Sequence, residues 1–246
     1  IGIDFGVNAG SERSFVSIRG LQENLDEGIK LFEHLMADAK ADKEAYQNYV
    51  DKIIKSRNDA KVQKNSIQNA LNQYAMYGPD NRFRDQLSEA ELRAIDPAEL
   101  VQILKEFLNY PHQIFYYGKD ASAAKKALEK YHNFGNGKKI PAAKVYPQPM
   151  TDGKIFFAPY DMVQAKISLR AREEQFDKNL LTPSGVFNEY FGSGLSSIVF
   201  QEIRESKSLA YSAYSVYSNS DRHDKYNYVV AYVGTQANKL PQAVDA

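Results

Sequence analysis

Apolar and polar positions follow two periods along this chain, and each change of period marks an element. Ile1, Ile3 and Phe5 alternate with other residues, and Phe15 and Ser17 oppose Val16 and Ile18, which predicts two strands with a turn over Asn8–Glu12. The period lengthens after Asn24. Leu25, Ile29, Phe32, Leu35 and Met36 form one face of a helix capped by Asn24, with Glu27 three residues on. A long helix is expected from about Asp42, with Tyr46, Tyr49, Val50, Ile53 and Ile54 as its apolar stripe. Ile67, Leu71 and Tyr74 continue that stripe less regularly, the middle (Lys55 to Asn69) is polar, and Gly78-Pro79 ends it. Ser88 with Glu91, and Asp96-Pro97 with Glu99, are capping boxes that open a short helix and a second one over Pro97–Tyr110. Ile114–Gly118 (IFYYG) reads as a buried strand.

Residues 119–150 hold a Lys-rich helical stretch to about Tyr131, then Gly135, Gly137, Pro141, Pro147 and Pro149, the composition of a linker. Beyond it, Ile155–Pro159 (IFFAP) and Gln164–Arg170 read as strands. A helix is expected with Thr182 as N-cap and Pro183 as first helical residue, carrying Phe187, Phe191, Leu195, Ile198, Val199 and Ile203 on one face. Gly192 and Gly194 are poor helix formers inside that pattern, so backbone or ligand is expected to come close there, or the helix to begin later. After Leu209 the period becomes two: Tyr211, Ala213, Ser215 and Tyr217 share one face, and Ser212, Tyr214, Val216 and Ser218 the other. This predicts a hairpin over Tyr211–Val233, turning around Asn219–Asp224. The switch of period places Arg204 at a helix end and Tyr211 at a strand start, where both side chains can address one place.

The run FGSGLSSIVFQEIRESKSLAYS resembles the second-half signature of the pitrilysin/insulinase family of zinc metallopeptidases: small residues, then S-x-x-F-x-E-[IL]-R-E, then L-A-Y-S after a short gap. In that family an Arg and a Tyr seven residues apart project from a non-catalytic half. They face the zinc of the catalytic half across a chamber and bind substrate backbone. Arg204 and Tyr211 match the spacing, so the resemblance implies that they bind substrate, with Gly192, Ser193 and Gly194 in a loop near it.

Residues 15–30 (FVSIRGLQENLDEGIK) echo 229–245 (VVAYVGTQANKLPQAVD), pairing Gly20 with Gly234 and Gln22 with Gln236. An offset of about two hundred residues suits tandem domains rather than a solenoid. The expected architecture is α+β, a two-layer antiparallel sheet with helices on one face, in tandem pitrilysin-like αβ domains. Residues 1–118 would be the C-terminal part of one copy, 119–150 a linker, and 151–246 the N-terminal part of the next. A first residue that is not Met, and a final stretch reading as the opening of a helix, are those expected of a piece of a longer protein. Two unfinished half-domains would leave open strand edges, which a permuted domain or an exchanged homodimer could close.

Composition narrows the function without adding a site. Lys+Arg and Asp+Glu each number 31, so no net charge favours nucleic acid. The chain has no Cys, which excludes disulfides, thiolate zinc sites and thiol catalysis. No apolar run reaches the ~20 residues of a membrane span, no stretch of these residues reads as a signal peptide, and in a piece of a longer protein such missing signals say little about the parent. The four His residues, His34, His112, His132 and His223, include no two at ligand spacing. Lys30-Leu31-Phe32-Glu33-His34 approaches H-x-x-E-H, but Lys stands where the first His is needed; the expectation is an ordinary helix with Glu33 and His34 toward solvent. His112, His132 and His223 are expected at the surface. Gly192-Ser193-Gly194 lacks the Lys-Ser/Thr of a phosphate loop and the spacing of a nucleophile elbow.

The expected function is therefore the substrate-binding half of a zinc metalloendopeptidase acting on peptides or unfolded polypeptides. This piece would carry no catalytic residue and no metal ligand; zinc belongs to the catalytic half, in the same chain or in a partner subunit. The alternative is a non-enzymatic scaffold or binding subunit of the same fold. The resemblance also suggests a bacterial, extracytoplasmic setting.

Overall fold

Stretches of period two become strands only where a second stretch lies alongside. The computed structural model describes residues 2–10, 13–132, 134–135, 137–149 and 153–246. Strands β1 (Ile3–Ala9) and β2 (Ser14–Gly20) pair antiparallel from Ile3 opposite Gly20 to Ala9 opposite Ser14. The turn expected over Asn8–Glu12 begins inside β1, and its Ser11 and Glu12 lie outside the described residues. Strands β3 (Gln164–Gln175), β4 (Ala210–Ser218) and β5 (Tyr226–Gln236) form an antiparallel sheet in the order β3-β5-β4. The chain divides into two compact units, Ile1–Phe156 and Phe157–Ala246.

In the first unit, β2 leads through a single 3-10 turn (Gln22–Asn24) into α1 (Leu25–Asp38), which buries Gly28, Ile29, Phe32 and Met36. The Phe32 ring stacks on Phe5 of β1 at 6.3 Å. The long helix expected from Asp42 is two helices, α2 (Lys43–Lys61) and α3 (Lys64–Tyr77). Val62 and Gln63 donate backwards to Asp59 and Ala60 carbonyls, and Gln63 is extended. The break falls in the polar middle, where no apolar stripe holds a continuous helix against a neighbour. Gly78 ends α3 with a positive φ, as its position before Pro79 predicts. The box of Ser88 and Glu91 caps α4 (Glu89–Ala94), and Asp96 caps α5 (Pro97–Phe107) by accepting from the Ala98 amide at 3.0 Å.

Helix α6 (Ala121–Tyr131) packs on α1, where Tyr131 donates to Asp26 at 2.9 Å. Here the expectation for two polar residues, Glu33 and His132, is corrected, while His112 is exposed as expected. Glu33 does not face water: its carboxylate meets His132 Nδ1 at 2.5 Å, and the His132 side chain is only 6% exposed. His132 Nε2 in turn meets His112 Nε2 at 2.8 Å. The helical period placed Glu33 beside the apolar face of α1, and α6, which covers that face, brings a ring nitrogen to the carboxylate. His34 lies outward as expected, beside Asp38.

Two expected strands are absent. Ile114–Gly118 has no ladder, with Phe115 86% exposed and Tyr117 fully so. Ile155–Pro159 likewise forms none. Both have strand composition, but among the described residues no backbone lies alongside to complete a ladder.

In the second unit, helical segments and the short α8 (Leu240–Asp245) cover one sheet face. Ala213, Val233 and Ala243 are buried there, with Ile167, Val199, Ile203 and Leu209 against them. Tyr214 and Tyr232 stack at 5.2 Å on neighbouring strands of the sheet. Among the described residues no helix is long and apolar enough to cross a membrane.

Candidate functional site

The helix expected to run unbroken to Arg204 is interrupted, and the interruption positions the site. A 3-10 turn capped by Asp177, not Thr182, starts it; Asp177 accepts from the Asn179 amide at 2.9 Å. Helix α7 (Leu181–Phe187) continues into a π turn, Asn188–Gly192. Gly192 presses on the backbone of β4: a Cβ there would stand 2.0 Å from the Ser215 carbonyl oxygen. Backbone approach therefore accounts for the first glycine. Gly194 has φ of 115°, a region open to glycine, and its exposed loop breaks the helix. Ser193 donates its amide to the Asn188 carbonyl at 2.7 Å and closes the π turn. The helix resumes at Ile198 and ends in a second π segment, Phe200–Ser206, which carries Arg204.

The three residues that join this segment to β4 are held from several sides. Lys207 and Leu209 donate their amides to the Glu202 and Ile203 carbonyls at 3.1 and 2.9 Å. Ser208 adopts φ of 50°, unusual for a residue with a Cβ. Lys239 Nζ donates to the Ser208 carbonyl at 3.1 Å, and buried Thr235 donates its hydroxyl to the Leu209 carbonyl at 2.5 Å. Immediately afterwards the ladder slips: Ala210 faces Thr235 and Ser212 faces Gly234, so Tyr211 is the extra residue of a β-bulge. A bulge re-aims a side chain and breaks the alternation. Ala213 and Ser215 are buried as one face, while Tyr211, expected to share that face, is 56% exposed.

Arg204 and Tyr211 thus stand at the two ends of one braced turn, both exposed. No hydrogen bond joins them among the described residues. The Arg204 guanidinium lies 4.7 Å from the Phe200 ring centre and 3.6 Å from Glu205, on the surface. A pair at that distance and exposure leaves the guanidinium's donors available to a ligand. The Tyr211 oxygen accepts from Gln236 Nε2 at 3.0 Å. Phe200, Ser208, Thr235 and Gln236 are the neighbours that periodicity did not assign to this site. Gln236 was visible only as the repeat partner of Gln22, and Phe200 only as the aromatic of the S-x-x-F-x-E-[IL]-R-E run, without a role.

Together these groups present a guanidinium and a phenol, both donors and neither a nucleophile nor a metal ligand of ordinary reach. They can bind carbonyl oxygens or an oxyanion. The donor set does not fit zinc: no group of three His, Cys, Asp or Glu among the described residues could hold a metal ion.

Residues 95–246 match the family model described as "Peptidase M16 inactive domain". A segment of 57 residues is 42% identical to the uncharacterized zinc protease YmxG of Bacillus subtilis (strain 168), covering 23% of this chain and 13% of that protein. The crystal structure of a peptidase M16 inactive domain from Pseudomonas fluorescens superposes over 99% of this chain and 60% of its own, with a TM-score of 0.66 and 16% identity. The ferredoxin protease FusC, solved as a mutant in complex with Arabidopsis ferredoxin, gives 0.67 and 11% over 99% of this chain and 27% of its own. A protease from Helicobacter pylori gives 0.62 and 13% over 99% and 61%. The chain spans less than two thirds of each of these relatives.

Proposed function

The chain belongs to the peptidase M16 inactive-domain family, and on that premise we propose that it is the substrate-binding half of a zinc metalloendopeptidase acting on peptides or unfolded polypeptides. Arg204 and Tyr211 hold the substrate backbone, opposite a zinc site carried by another half of the same chain or by a partner subunit. The loop at Gly192, Ser193 and Gly194 borders the bound peptide. The observation that carries this reading is the braced turn: a strained Ser208, two side-chain bonds to its carbonyls and a β-bulge hold two donors whose side chains are exposed. The FusC complex, in which a protease of similar fold holds a protein, supports a polypeptide as the ligand.

A Tyr hydroxyl and an Arg guanidinium donate to peptide carbonyl oxygens in the ground state, and donate more strongly to an oxygen that gains negative charge during cleavage. Losing one such donor costs ~10²–10³ in rate. The test is cleavage of an unstructured peptide by the full-length polypeptide, or by this chain with its catalytic half, as wild type, Arg204→Ala and Tyr211→Phe. Both variants should keep the wild-type circular dichroism and lose rate by that factor. If wild type neither cleaves nor gains activity from a zinc-bearing half, the non-enzymatic scaffold reading replaces this one.

A further inference from the structure

We infer that Gln236 is a positioning residue for Tyr211: its side-chain amide sets the direction in which the Tyr211 hydroxyl donates. This rests on the reading of Tyr211 as a substrate donor. Gln236 ends β5, next to the Thr235 whose hydroxyl anchors the Leu209 carbonyl just before the bulge. Its Nε2 donates to the Tyr211 oxygen at 3.0 Å. A phenol has one proton to give. The oxygen accepts here, and among the described residues no hydrogen bond takes that proton. It is turned away from Gln236, and accepting a bond polarises the O–H for donation onward.

The first unit holds the same pair with the polarity reversed. Gln22 follows the end of β2 as Gln236 ends β5, two residues after Gly20 and Gly234 respectively. There Tyr116 donates its hydroxyl to Gln22 Oε1, and its oxygen accepts from the Asp120 amide at 3.3 Å. Tyr116 has spent its proton and is half-buried, whereas Tyr211 is exposed with its proton unspent. One Gln–Tyr pair ties its unit together and the other offers a donor outward. The difference lies in which end of the amide faces the phenol.

Polarity makes the inference testable. In the full-length polypeptide, or the chain with its catalytic half, Gln236→Leu removes the donor to Tyr211 and should lower kcat/KM about 3- to 10-fold, the worth of one hydrogen bond. Gln236→Glu replaces the donor by a carboxylate that captures the Tyr211 proton, and should lower it further than Leu does, toward the Tyr211→Phe level. Combined with Tyr211→Phe, neither substitution should add a loss, because the group through which Gln236 acts is gone. A structural role would instead give equal losses in both backgrounds. If Tyr211→Phe lowers the rate but Gln236→Leu and Gln236→Glu behave as wild type, or Glu is no worse than Leu, the positioning role is overturned and the substrate-binding reading stands. If Tyr211→Phe itself has no effect, both fall together.

Discussion

A methyl group decides the fate of two glycines in opposite directions. Gly192 meets the Ser215 backbone so closely that Gly192→Ala must push the π turn off β4, at a cost of about 1–3 kcal/mol. Gly185, inside α7, has nothing within 4 Å of where a Cβ would stand, so Gly185→Ala should stabilise by about 0.5–1 kcal/mol. Chemical denaturation of both variants checks the pair, and equal effects would contradict the geometry. Charge acts at the same scale. Hydrogen bonds from Lys144 and then Tyr146 hold the Asp85 carboxyl below its ordinary 3.8. A depressed carboxyl pKa contributes stability above the ordinary carboxylate range, and that contribution disappears as pH falls through the lowered folded-state value. Wild type should therefore lose stability more steeply than Asp85→Asn as pH drops below about 4, with little difference in slope above pH 6, in thermal melts taken across that range.

At the scale of elements, secondary structure depends on neighbours more than on local preference. The interrupted helix is fastened to β4 by Asn188, whose amide donates to the Tyr217 carbonyl at 3.0 Å while its oxygen accepts the Tyr217 amide at 2.7 Å. One side chain thus serves as a short length of ladder on the edge of β4 not paired with β5. Asn188→Ala leaves both backbone groups without that partner and should cost about 1–3 kcal/mol. Hydrogen exchange should show faster opening around Tyr217 and unchanged protection in α2. Had Asn188 merely decorated the surface, neither quantity would move. The same dependence explains α2 and α3. A polar stretch without a packing partner cannot carry a helix across Val62 and Gln63, although no Gly or Pro stands there.

For the whole molecule the notable quantity is exposed apolar surface. Phe115, Tyr117, Ile155 and Phe157 present nearly all of their side chains to water, in stretches of strand composition without a ladder. Such segments recruit other strands. The chain on its own should scatter light as a species heavier than one copy. Phe115→Ser combined with Tyr117→Ser should shift it toward the monomer without changing its circular dichroism. A monomeric wild type at tens of micromolar would show that these segments do not drive association. The proposed substrate-binding pair, Arg204 and Tyr211, stands elsewhere in the sequence, at the turn into β4.

By itself the sequence determined the class of fold, both hairpins and the caps at Gly78, Ser88 and Asp96, though not those expected at Asn24 and Thr182, together with the spacing of Arg204 and Tyr211 and the lack of an H-x-x-E-H motif, because these are written in short-range periods, capping residues and spacing. It also marked Gly192 as a place of close approach. What it could not contain was which segments would find partners. Pairing decided that Ile114–Gly118 and Ile155–Pro159 form no strand. The packing of α6 on α1 turned Glu33 and His132 inward. A one-residue slip between β4 and β5 took Tyr211 off the buried face. That slip leaves no mark on alternation, since it is fixed by Thr235 and Leu209, 26 residues apart in the chain. Contacts between distant residues, not local preference, set the direction of the side chain on which the proposed function rests.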